Sequence, residues 1–109
     1  MSMDAEELGA SMLGAVRSVV GERWPEIEQL AEDELGDLAR VLLRIEFRQS
    51  TGTISEAEAR ALMRIHRNTV ETVLAGIQGM TLVMAEVAVN AAMDVVRGAV
   101  NSSVGFDLV

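Results

Sequence analysis

The chain contains no cysteine, no tyrosine, one proline and three aromatic residues, Trp24, Phe47 and Phe106. Without cysteine there is no disulfide framework, no thiolate nucleophile and no cysteine-ligated metal. Lysine is missing too: all nine cations are arginine. That excludes Schiff-base chemistry and leaves side chains suited to ion pairs and oxyanion contacts. There is a single histidine, His66, and no Gly-x-Ser-x-Gly elbow or phosphate-binding glycine loop. An enzyme is therefore not expected, and no cofactor is implied.

What is present is aliphatic. Half of the 109 residues are apolar, mostly Ala, Val, Leu, Ile and Met, a mixture that favours helices. The length suits one domain covering residues 1–109. Residues 1–7 are acidic rather than basic, which reads as a cytoplasmic chain without a targeting segment.

Charge is distributed unevenly along a chain of net charge −8. Residues 1–37 carry ten acids and two arginines, residues 40–67 six arginines and three glutamates, and residues 68–109 four acids and one arginine. Overall acidity argues against nucleic acid as a partner, although the middle block is basic.

Periodicity predicts an all-α fold. A first helix at about 4–20 starts at Asp4 and carries Leu8, Met12, Leu13, Val16 and Val20 at helical spacing, ending at Gly21. Trp24 precedes Pro25, so Trp24 is expected outside the α region. Pro25 then suits the first position of a second helix, about 25–50, buried through Ile27, Leu30, Leu35, Leu38, Leu42 and Ile45. Gly52 closes it. Ser55-Glu56-Ala57-Glu58 is a capping box and opens a third helix.

No proline follows, and the pattern stays helical to residue 100. The expectation is an unbroken helix over about 55–100, roughly 69 Å long, with a loop tail at 101–109. The alternative is a break at Gly76-Ile77-Gln78-Gly79. Between residues 72 and 93 only Glu86 is charged, and a helix apolar all round must be covered all round. Two shorter helices cannot cover so long a third. The expected architecture is a helical hairpin with a very long C-terminal helix plus an N-terminal helix, forming a coiled-coil-like oligomeric bundle. Its interface would run along Val70, Leu74, Ile77, Met84, Ala88, Ala91 and Val95. The tail would be frayed or docked on a neighbouring subunit.

Several candidate sites follow. Residues 72–93 could span a bilayer by length, but Glu86 would cost about 2.5 kcal/mol or more there, so no membrane partner is expected. Arg40, Arg44 and Arg48 on the second helix and Arg60, Arg64 and Arg67 on the third would gather toward one end of the hairpin. There they could bind an anion, or pair with Glu46, Glu56 and Glu58. A ferritin-like carboxylate metal site needs Glu-x-x-His pairs, and Met63 stands three residues before His66, so the motif is absent. Only assembly could bring Glu46, Glu71 and Glu86 together. Finally, Arg17 and Glu86 are isolated charges in apolar segments, which suggests a buried ion pair. The favoured function is a structural, self-associating or adaptor protein. An anion- or nucleic-acid-binding module is the second reading, and a carboxylate metal bundle the third.

Overall fold

A computed structural model describes residues 4–77 and 79–109, and all of its regular structure is helical. Helix α1 spans Ala5–Val20 and continues through a 3-10 turn, Gly21–Arg23, into α2, Trp24–Ser50. Helices α3, Glu56–Ala75, and α4, Leu82–Val104, complete the chain.

The local signals account for most helix ends. The Asp4 carboxylate accepts the Glu6 amide at 2.9 Å and so caps α1. Gly21 terminates α1, and Pro25 sits in the first turn of α2. At the other end of α2, Thr53 N–H reaches the Arg48 carbonyl (2.8 Å) and Gly52 N–H reaches Gln49 (3.1 Å). This is the double closure that a left-handed glycine permits, and Gly52 has φ +75°. The capping box also forms: the Glu58 amide donates to Ser55 Oγ (3.1 Å) and the Ser55 amide to Glu58 Oε1 (3.0 Å). Ser55→Ala should therefore cost roughly 1 kcal/mol. Thermal melts of variant and parent that superimpose would show that the cap contributes nothing.

Two expectations about the backbone fail. Trp24 is helical (φ −53°, ψ −46°) despite preceding Pro25. It is buried, and a helical turn leading directly into α2 holds it in place. More consequentially, the helix expected over 55–100 is two helices. α3 stops at Ala75 and α4 starts at Leu82, where the Thr81 hydroxyl caps α4 by accepting the Met84 amide at 3.1 Å. Gly79 takes φ +86° in the connecting turn, and Gln78 lies outside the described residues. The molecule measures 42 × 24 × 18 Å, which leaves no room for a 69 Å rod.

The break changes the packing problem. α4 folds back on α3 and also packs against α1 and α2, while α2 touches every other helix. Short connections make sequential helices antiparallel. The contact of Arg23 with Gly79 and that of Ser103 with Glu46 fix which turns share an end. The core contains Met12, Val16, Ile27, Leu35, Leu38 and Leu42 from the first two helices, and Leu74, Val89 and Met93 from the last two. The radius of gyration is 13.6 Å, close to the roughly 13 Å of a compact chain of this length. The accessible surface is 6065 Å², against about 5,900 Å² for a compact monomer of this mass. One chain thus covers its own core, contrary to the expectation that a neighbour must do so.

The expected interface row moves inside accordingly. Val70, Leu74 and Ala88 are buried within the chain, Ile77, Met84 and Ala91 are half-buried, and only Val95 is exposed. No helix of the described residues is long and apolar enough to cross a membrane.

Candidate functional site

The capping box sets where α3 begins and hence where its arginines stand. Arg60, Arg64 and Arg67 follow at spacings of four and three, which places them on one side of the helix. Against that side lies the C-terminal tail. α4 ends at Val104, and Gly105, at φ +84°, turns the chain back. Asn101 then holds the tail: its side-chain oxygen accepts the amides of Leu108 (2.9 Å) and Val109 (3.1 Å). Its side-chain nitrogen and Arg97 Nε both donate to the Val109 carbonyl at 3.2 Å. Leu108 is buried by this return. The tail expected to fray or to dock on a neighbour is docked on its own chain.

Between α3, α4 and this tail lies a cleft of about 220 Å³. Its apolar side is formed by Met63, Met93 and Leu108, and its polar rim by Arg60, Arg64, Arg67 and Asp107. Arg60 is engaged: it donates to the Asp107 carbonyl (3.1 Å), approaches Glu56 (3.8 Å) and lies over the Phe106 ring at 5.0 Å. Arg67 approaches Glu71 at 3.5 Å. Arg64 is exposed and has no hydrogen bond or ion pair among the described residues.

The six arginines do not line one cleft. Arg40 pairs with Asp37 and lines a different groove, between α1 and α2, beside Asp4, Glu6 and Glu32. Carboxylates outnumber Arg40 there, so that groove repels anions. Arg44 and Arg48 are exposed on α2 and line neither cleft. Arg40 is thus turned toward α1, a rotation of α2 that the i, i+4 pattern alone did not reveal.

The remaining candidates disperse as well. Arg17 and Glu86 are both exposed, and no ion pair joins them among the described residues. Arg17 instead lies over the Trp24 ring at 5.9 Å, and the apolar surroundings that implied burial belong to the opposite face of each helix. Glu46 accepts a hydrogen bond from Ser103 (3.0 Å), and Glu71 meets Arg67. Glu58 serves the cap, and among the described residues Glu56 alone of the three anticipated partners pairs with an arginine. His66 is half-buried on α3. Among the described residues no group of three or more acidic or histidine side chains could hold a metal ion.

Sequence reasoning missed Asn101, Asp107 and the role of the tail. The available signal was the apolar trio Phe106, Leu108 and Val109 after Gly105, a pattern that asks for a docking surface. It also missed Val83 and Val87. With Leu82 and Val95 they form exposed apolar positions on α4, at 66% and 47% exposure for Val83 and Val87 and 53% for Val95, beside the exposed Glu86, Asn90 and Asp94. No family model, no curated protein and no solved structure matches this chain.

Proposed function

We propose that this protein is a non-enzymatic association module, a helical bundle that pairs with a second copy of itself through the outer face of α4. The observation that supports this reading is the row Val83, Val87, Ala91, Val95 and Ala99. Its members are spaced by four residues, and each is exposed or half-buried. Such a row is one of the ridges by which helices interdigitate, and two identical ridges pack at about −50°. A symmetric pair places the same row on both sides of the contact. With Ala91 at the middle, the two helices approach closely, and Val87 of each copy meets Val95 of the other.

Association on this reading is added to a closed bundle rather than needed to complete it. A weak or regulated pair is the natural consequence, because a row of small side chains buries less than a standard interface. The expected outcome for Val87→Asp is a dissociation constant raised by roughly tenfold or more, since a carboxylate set against Val95 of the other copy loses its water. The half-exposed position should leave the unfolding of dilute protein nearly unchanged. Sedimentation equilibrium of parent and variant measures both quantities. An unaltered constant would remove α4 from the contact.

A further inference from the structure

We infer that the cleft between α3 and the C-terminal tail binds a small organic anion, an oxyanion carried on a short apolar body. The inference is independent of self-association, because the cleft lies on the α3 side of α4.

Three features support it. First, α3 sets three arginines against three glutamates, in a protein whose net charge is −8. Glu56 and Glu71 pair with Arg60 and Arg67, so Arg64 is the uncompensated cation of this helix face among the described residues. Second, Arg64 carries a guanidinium with no partner among the described residues, at the rim of a concave site rather than on a convex surface. Arg60 is held in place by the Asp107 carbonyl and Phe106, and Arg67 by Glu71, so the neighbours of Arg64 are positioned before a ligand arrives. A guanidinium fork matches the two oxygens of a carboxylate or phosphate. Third, the floor of the cleft is apolar: Met63, Met93 and Leu108 lie beneath its rim, although each is buried and shows little of its own surface. A few polar groups around an apolar surface is the usual construction of a small-molecule site.

The dimensions select the ligand class. At about 220 Å³ the cleft is below the usual range for drug-sized ligands, so a short-chain carboxylate or phosphate monoester fits. A nucleic acid does not match: Arg60 and Arg67 are separated by only roughly 10 Å along the helix, and Phe106, the one aromatic ring nearby, is covered by Arg60 and offers no base-stacking platform.

The test is calorimetric titration of the full chain with octanoate, octyl phosphate and inorganic phosphate, each below any micelle-forming concentration. One-to-one binding of octanoate or octyl phosphate is expected, tighter than that of inorganic phosphate. Arg64→Gln should weaken it by roughly tenfold, the loss of one charge-assisted contact. Arg44→Gln, which removes the same charge from an exposed position on α2, should leave it unchanged. Leu108→Asn, assayed alongside, should also weaken binding of the octyl ligands. The proposal is overturned if no octyl ligand binds, or if inorganic phosphate binds as tightly as octyl phosphate. It is equally overturned if Arg64→Gln and Arg44→Gln have the same effect, which would reduce the binding to net charge.

Discussion

Leu35→Ala is expected to destabilise the protein by about 3 kcal/mol. Leu35 is completely buried in α2, which contacts all three other helices. Removing its isobutyl group loses the transfer free energy of the buried carbons and leaves a cavity whose walls belong to several helices. Those walls can close only if helices move together, and close-packed interiors resist such movement. Small domains are stable by about 5–15 kcal/mol in total, so the substitution takes a large share. Denaturant melts at fixed concentration measure the loss. Leu30→Ala, at a half-buried position on the same helix, should cost clearly less. Equal losses at the two positions would mean that α2 does not present the face assigned to it.

Gly79→Ala gives the second large effect, and its sign carries the information. In a continuous helix, replacing glycine by alanine stabilises by about 1 kcal/mol. In the observed turn Gly79 has φ +86°, and a Cβ there would overlap the Arg23 guanidinium. A left-handed conformation costs an L-residue about 1–2 kcal/mol, and the Arg23 guanidinium must also move. A destabilisation of about 2 kcal/mol is expected. Gly76 provides the comparison: its φ of −75° is open to any residue, and the nearest atom to an added Cβ is the Val73 carbonyl oxygen at 3.3 Å. Gly76→Ala should therefore cost less than Gly79→Ala. A stabilised Gly79→Ala variant would restore the long helix.

Which features the sequence could reveal follows from the range over which each acts. Helix ends set by a side chain within three residues were readable: Asp4 at α1 and the Ser55–Glu58 box at α3 are both realised. So was the buried stripe of α2, apart from Leu30, which is only half covered. The turn after α3 was legible only as the alternative to an unbroken helix, because its signals are weak alone. Gly76 and Gly79 are each tolerated inside helices at a modest cost, and Thr81 falls in phase with the apolar seam on either side. Its capping of Met84 becomes decisive only when α4 gains an antiparallel partner in α3. The uniformly apolar stretch around residues 72–93 then reads differently. Its two halves face each other and the other helices, so the coverage that one long helix would demand of a second chain comes from within.

The candidate site divides along the same line. The spacing of Arg60, Arg64 and Arg67 on one helix face was a local property and holds. Their union with Arg40, Arg44 and Arg48 depended on how two helices rotate against each other, which a single-helix pattern does not specify. Arg17 and Glu86 illustrate the converse. Each is the lone charge of an apolar segment, yet each occupies the outward face, and the ion pair inferred from composition has no burial to require it. The apolar tail asked for a docking surface, but where it docks was beyond reach for another reason. Its anchor, Asn101, is a polar residue in the last turns of α4, with nothing in its immediate neighbours to mark it.

The proposed pairing of two closed bundles through α4 is tested most directly by the mass of the protein in solution. Multi-angle light scattering over a concentration series should give a weight-average mass that rises from near 11.7 kDa toward twice that value, and the rise should be suppressed in Val87→Asp. A mass that stays at 11.7 kDa from micromolar to millimolar protein would contradict it.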